Sequence, residues 1–338
     1  MPEPSPTPQR RGRPFRIGAA LVVLLAVAGY LTVQYLTGGT GPGCEVVSAD
    51  RGGASYEFTP EQAVNAATIA AVGSGRGMPE RAVTIALATA LQESGLRNIE
   101  HGDRDSLGLF QQRPSQGWGT PKEIMEPAYA AGVFYTHLTE IHDYQRLPLT
   151  VAAQRVQRSG FPEAYAKHEQ DAALLSAALT GRAAATLTCQ GRPAVATATG
   201  PDAVRAALVR DFGRDAVEET GAEVGGGRGG RGASPTPTAP PADPGTHGRT
   251  VTLPVRPGTG AAKGQSAPQR GWQLAQWAVA NASALHIERV AYAGREWTAG
   301  VTEGQWRATD AKNADSGTDG GTGGGARGTG WVQITTSR

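Results

Sequence analysis

The stretch IALATALQESGLRN, residues 85–98, places one carboxylate, Glu93, in a run of small and aliphatic side chains. A carboxylic acid set against an apolar face can keep its proton at neutral pH, because burial disfavours the charged form. A group poised in that way can act as a general acid. Val83, Ala86, Leu87, Ala90 and Leu91 recur at i, i+3, i+4, i+7 and i+8, which predicts an amphipathic helix. Pro79 suits its first position, and Gly95 is placed to end it. Glu93 falls on or beside the apolar stripe, in the last turn. There the negative end of the helix dipole adds to burial in raising the proton affinity. The alternative is a solvated glutamate at a helix end, the commoner case.

Other chemistry is sparse. His101, His137, His142 and His168 have no metal-ligand spacing, and the alternating His286 and Glu288 make only two ligands. No phosphate loop, nucleophile elbow or CxxC pair is present. No metal and no cofactor is therefore expected. Asp103 and Asp105, in GDRDS, are the nearby candidates for a second acid; the commoner reading of such a segment is a turn, which aspartate favours.

Glu93 and Ser94 are followed, after the polar loop LRNIEHGDR, by DSLGLFQQRP at 105–114. This order resembles the soluble lytic transglycosylase and goose-type lysozyme superfamily, in which a helix ends in a catalytic Glu followed by Ser and a Gly-Leu-Met-Gln-like segment lies in a small β region. Gly108, Leu109, Phe110 and Gln111 fill those four positions. EPAYAAGVFYTHL, residues 126–138, resembles the family helix that carries an apolar ridge, with Tyr129, Phe134 and Leu138 as packing residues. The resemblance covers residues 60–175. It departs at AAQRVQRSGFPEAY, 152–165, where Gln154 and Arg155 stand in place of the family's Tyr-Asn pair. That run is similar to lysozyme-like domains of phage tail proteins and actinobacterial surface proteins; Tyr165 is the candidate replacement tyrosine.

The resemblance implies a mainly α lysozyme-like domain with a small β region, acting on peptidoglycan glycan strands between N-acetylmuramic acid and N-acetylglucosamine. Glu93 would protonate the departing glycosidic oxygen. In a lytic transglycosylase the same group then takes a proton from the muramoyl 6-hydroxyl as a 1,6-anhydro ring closes. In an inverting lysozyme a second carboxylate, Asp103 or Asp105, would hold a water. Ser94, Gln111, Gln154 and Tyr165 are the expected substrate-binding residues, with helix ending the alternative for Ser94 and a structural role for Gln111. The rival class is a lysozyme-like wall-binding or scaffold protein without turnover.

The elements around this segment set its location. The chain has 338 residues and a net charge of +2, which gives no strong field toward nucleic acid. Residues 17–36, IGAALVVLLAVAGYLTVQYL, carry no charge and no proline, and about 20 apolar residues cover a bilayer core. Arg10, Arg11, Arg13 and Arg16 precede them, so residues 1–16 are expected to form a cytoplasmic tail on a single-pass anchor, with the remainder extracellular. A cleaved signal peptide is the competing reading; the length of the apolar run and the missing A-x-A-like site oppose it.

Outside a cell, Cys44 and Cys189 most simply pair, bracketing a domain at 44–190 and contributing ~3–5 kcal/mol; two free thiols are the alternative. Residues 191–267 read as a low-complexity linker with a short helix near 201–219, where Val204, Leu208 and Phe212 recur at fourfold spacing. Residues 268–338 read as a small α/β accessory unit. It has a helix over GWQLAQWAVANASALHI, a strand pair turning at Ala293-Gly294, a Gly-rich insert, and a last strand WVQITT. The sequence specifies no protein partner.

Overall fold

The structure, a computed structural model, describes residues 43–50, 53–159, 163–190, 199–214, 248–257, 264–300, 305–309 and 329–337. Everything described lies in one compact unit, within Pro42–Arg338. The expected anchor at 17–36 and tail at 1–16 fall outside the described residues. Among the described residues, no helix is long and apolar enough to cross a membrane.

The architecture is mixed, helical with two small sheets. Thr59 and Gln62 form a capping box that starts α1, Pro60–Gly75, with proline at the first turn where its missing N–H costs nothing. Helix α2, Glu80–Ser94, begins one residue past the position foreseen for Pro79, which caps it. After it come α3 (Pro121–Ile124), α4 (Pro127–Glu140), α5 (Leu149–Gln157), a 3-10 turn (Ala166–His168) and α6 (Glu169–Leu179). Ile69, Val83, Leu87, Phe110, Phe134, Tyr135 and Leu175 are fully buried among them. Phe134 and Leu138 pack as expected, while Tyr129 is half-buried with its hydroxyl toward the Trp118 carbonyl. Where α2 meets α6, the Thr84 and Ser176 hydroxyls bond at 2.8 Å, so two buried polar groups satisfy each other.

Strands β1 (Cys44–Val47), β2 (Ser55–Phe58) and β3 (Leu187–Cys189) form an antiparallel sheet in the order β2-β1-β3. Cys44 lies opposite Cys189 in that register, and the two form a disulfide.

The second sheet holds β4 (Thr250–Pro254), β5 (Ile287–Tyr292), β6 (Arg295–Thr298), β7 (Arg307–Ala308) and β8 (Trp331–Thr336), antiparallel in the order β4-β8-β5-β6-β7. The β5–β6 hairpin turns at Ala293 and Gly294, both at positive φ, which a two-residue hairpin with right-handed strand twist requires.

One expectation needs correction. Residues 250–254, assigned by composition to the linker, are a strand: Val251 and Leu253 are buried, and the flanking Gly- and Pro-rich sequence had hidden this short alternation. The helix near 201–219 is α7, Pro201–Phe212, ended at Gly213; residues 215–219 lie outside the described set.

Residues 44–190 and 268–338, read from sequence as separate domains, lie in one compact unit. Helix α8 (Ala267–Ala280) packs against α1, α6 and β3. The carboxylate of Asp211, on α7, is fully buried and accepts from Trp277 Nε1 at 2.8 Å, Thr68 Oγ1 at 3.3 Å and Arg210 Nε at 2.7 Å. Gln276 accepts from the backbone N–H groups of Thr186 and Leu187, each at 3.0 Å. It donates to the carbonyls of Ala178 at 2.7 Å and Ala183 at 2.8 Å.

Candidate active site

Helix α2 delivers Glu93 in its last turn, and the chain fixes that end from three sides. Gly95 takes φ +63° to close the helix, and Leu96 follows at +58°. A left-handed leucine is strained, but its side chain is fully buried and its N–H bonds the Ala90 carbonyl at 3.1 Å. From α1, Gln62 donates to the Gly95 carbonyl at 2.8 Å and Asn65 to that of Leu96 at 2.9 Å. Two carbonyls just past the helix end are thereby satisfied.

Ser94, 7% exposed, donates within reach of the Leu109 carbonyl at 2.8 Å and that of Ala90 at 3.1 Å, and accepts from the Arg97 N–H at 3.2 Å. Its hydrogen-bonding capacity is therefore spent on backbone. The bond to Leu109 ties the helix end to the turn at 107–112, in which Leu107 and Gln112 exchange backbone bonds at 3.0 Å. Gly108 sits at φ +74°, and a Cβ there would stand 2.8 Å from the Ile124 carbonyl oxygen, so only glycine fits. Gln111 bends at φ +49° and donates to the Gly108 carbonyl at 3.2 Å.

Glu93 is half-buried. Tyr165, itself fully buried, donates to its Oε1 at 2.7 Å, and Gln157, at the end of α5, lies near enough to lower the proton affinity of the carboxyl. The Gln157 amide donates to the Phe110 carbonyl at 2.7 Å. Burial raises the proton affinity of Glu93, and the two donors oppose it without cancelling it, so the carboxyl stays above the ordinary glutamate range. The Tyr165 phenol is pushed far up, by burial first and then by the charge of Glu93 and their hydrogen bond, so it stays protonated as a donor. Ser159 bonds the same phenol. Among the described residues, no ion pair involves Glu93.

The two candidate second acids sit elsewhere in this network. Asp105 accepts from Arg113 Nε at 2.7 Å and from the Ser115 N–H at 2.9 Å, one bond to each oxygen, and these contacts hold it well below the usual carboxylate range. Asp103 has a side chain 94% exposed, with Arg104 3.9 Å away. Gln154, on α5, donates to the Ser159 carbonyl at 2.6 Å, and its Oε1 is buried without a partner among the described residues. His168 turns to Gln92, 3.3 Å away. Among the described residues, no group of three or more His, Cys, Asp or Glu is placed to hold a metal ion.

The structure thus brings Glu93, Ser94 and Tyr165 together with the 107–112 turn. Sequence reasoning missed Gln157 and Ser159. Both follow within five residues of Gln154 in the segment where the family pattern breaks, and that break was the available signal. Chemically, the arrangement holds one carboxyl of raised proton affinity against a phenol donor, suited to giving and taking back a single proton.

Residues 238–319 match the family described as VldE, C-terminal domain. The match covers about a quarter of the chain and does not reach Glu93 or its neighbours. No curated protein matches the sequence.

Proposed function

We propose that this chain is a peptidoglycan glycan-strand cleaving enzyme of the lytic transglycosylase type, with a lysozyme-like domain at 44–190 and Glu93 as general acid and base. The observation that carries this reading is the half-buried carboxyl of raised proton affinity at the end of α2, held by the Tyr165 hydroxyl beside a turn that Ser94 ties to the helix end. Protonated Glu93 gives its proton to the glycosidic oxygen as the bond breaks and oxocarbenium character develops on the muramoyl ring. The carboxylate then accepts the 6-hydroxyl proton while that oxygen closes on C1. One group serves both steps, which fits its raised but opposed proton affinity.

A water-adding route asks for a second carboxylate about 6.5–9.5 Å away with a free oxygen for the water. Asp105 has both oxygens engaged and a depressed proton affinity, which disfavours it as that base. Residues 17–36 would anchor the protein in the cell membrane by a single pass, with residues 1–16 cytoplasmic and the rest extracellular.

A second reading, a non-catalytic wall-binding or scaffold protein, is favoured by the Gln154 and Arg155 replacement. One experiment separates the two. The full chain and its Glu93→Gln variant are incubated with purified peptidoglycan, and released muropeptides are weighed by mass spectrometry. Products lighter by one water than hydrolytic muropeptides, from the Glu93 form alone, support the transglycosylase. Reducing-end products indicate a hydrolase, and wall binding without release from either form supports the scaffold.

A further inference from the structure

We propose that Asn65 is a positioning residue: from α1 it holds the Leu96 carbonyl and so fixes the left-handed exit of α2 on which Glu93 depends for its direction. The proposal rests on the reading of Glu93 as the proton-transferring group. The chain leaves α2 through two consecutive residues at positive φ, Gly95 at +63° and Leu96 at +58°. Glycine takes that conformation freely; leucine does not, because its Cβ crowds the following carbonyl oxygen. A strained residue of this kind persists only where its surroundings over-determine it. A displacement near 1 Å from the productive geometry can cost about 100-fold in rate, so whatever holds this exit bears on the acid just before it.

Three consecutive carbonyls at the exit each receive a side-chain N–H. That of Ser94 faces Arg97 Nε at 3.4 Å, that of Gly95 accepts from Gln62 at 2.8 Å, and that of Leu96 accepts from Asn65 at 2.9 Å. Among the described residues, no backbone N–H donates to the last two. Gln62 and Asn65 lie three positions apart on α1 and so share one face of it. Their duties differ. Gln62 also closes the capping box, its Oε1 accepting from the Thr59 N–H at 2.7 Å, so losing it would disturb the start of α1 as well. Asn65 is 6% exposed and Leu96 is fully buried, which leaves water poorly placed to replace the amide.

The acid is thereby held at two ends. Tyr165 meets the carboxyl tip at 2.7 Å, and α1 fixes the backbone just beyond the residue that carries it. An asparagine amide does not titrate, so this hold is the same whether Glu93 has its proton or has given it away. The link is also local. Further along α1, the Thr68 hydroxyl turns to Asp211 at 3.3 Å and the Ile69 carbonyl accepts from Tyr135 at 2.9 Å, away from the α2 exit.

The test uses the full chain with Asn65→Leu, which keeps the bulk and removes the N–H. Ser176→Ala, which breaks the buried pair with Thr84 near the start of α2, is the control for a loss of stability alone. Three readouts are taken: kcat and KM for glycan cleavage, hydrogen exchange at the Gly95 and Leu96 amides, and the titration of the Glu93 carboxyl followed by carbon-13 NMR. Those amides bond the Leu91 and Ala90 carbonyls at 3.0 and 3.1 Å and so report the exit directly. The expected result is a kcat lower by about 10-fold or more with KM changed less than about twofold, and faster exchange at the two amides with Val83–Leu87 unchanged. The Glu93 titration should move down toward the ordinary glutamate value, because a loosened exit admits water to a carboxyl that burial holds up. Ser176→Ala should keep the parent's kcat. A folded Asn65→Leu whose kcat and Glu93 titration match the parent overturns the proposal, and so does an equal loss of kcat in Ser176→Ala. If Asn65→Leu does not fold, Asn65→Ala is measured in the same way; failure of both to fold assigns Asn65 a structural role instead. The titration needs no turnover. A parent inert on peptidoglycan whose Glu93 titration still moves in the variant would refute the proposed function and leave the positioning role standing.

Discussion

Replacing Gln276 by leucine is expected to loosen the whole unit rather than only the segment that carries it. The side chain makes five hydrogen bonds across the α8 contact: from the N–H of Thr186, the Thr186 hydroxyl and the N–H of Leu187, and to the carbonyls of Ala178 and Ala183. The hydroxyl has a second acceptor, the Ala183 carbonyl at 3.5 Å. The Ala183 carbonyl thus keeps a partner, and the Ala178 carbonyl keeps the Gly181 N–H at 2.9 Å. Leucine has similar bulk and no polar atom, so it would strand two donors, the N–H groups of Thr186 and Leu187, in a buried layer. At ~1–3 kcal/mol for each stranded group, the loss is at least about 2 kcal/mol. Domains of this size hold ~5–15 kcal/mol in total, so a sizeable share of the stability would go. The assay is equilibrium urea unfolding of the oxidised full chain, with hydrogen exchange read by segment. Protection should fall together in Glu80–Ser94 and in Ile287–Tyr292. Loosened exchange at Ile287–Tyr292 with Glu80–Ser94 unchanged would refute the reasoning and return 268–338 to the status of an independent module.

Glu93→Gln should abolish glycan release while raising stability at neutral pH. The folded proton affinity is above the unfolded value of 4.5, so the stability this group contributes is complete below that pH and is lost as pH rises through the folded pKa. A parent Tm that declines from acid toward neutral pH more than that of the variant is the expected observation. In Tyr165→Phe, loss of one donor should move the Glu93 titration further upward, which carbon-13 NMR would detect. Asp105→Asn should leave the anhydro product unchanged in mass spectrometry of muropeptides. Its cost in stability should appear above the unfolded pKa and vanish as pH falls, because the folded carboxyl is depressed. Cys44→Ser should lower stability by ~5 kcal/mol in the chain-entropy model for a separation of 145 residues, checked by denaturant unfolding.

What could be read from sequence was what local rules govern. The α2 stripe, its end at Gly95, the Ala293-Gly294 hairpin and the strand at 331–336 each follow from periodicity or turn chemistry within a short window. The cysteine pair followed from there being only two. Tyr165 was named as a replacement for a missing tyrosine, but its bond to Glu93 spans 72 positions, and no spacing rule reaches that far. Gln157 was passed over because a glutamine ending a short helix looks solvated; its partner is the Phe110 carbonyl, 47 positions earlier, in the turn after α2. Gln276 was invisible for the same reason. A polar residue in an apolar helix reads as an exposed face, and only the fold shows that it serves backbone groups some 90 positions earlier. The strand at 250–254 failed differently: five residues of good alternation were outweighed by the composition on both sides.

The place of β8 in its sheet sets an order of events during synthesis. It lies between β4 and β5, so neither has its inner neighbour until residues 331–336 exist. A ribosome adding 5–20 residues each second needs roughly 7–30 s to travel from Cys189 to that strand. Throughout that interval the disulfide partners are both available, while β4 and, once made, β5 present open edges of the kind that pair with other chains. The nascent chain therefore passes through a stage at which its first half can close covalently while its second half is still sticky, and whatever shields those edges at that stage governs the yield of folded protein.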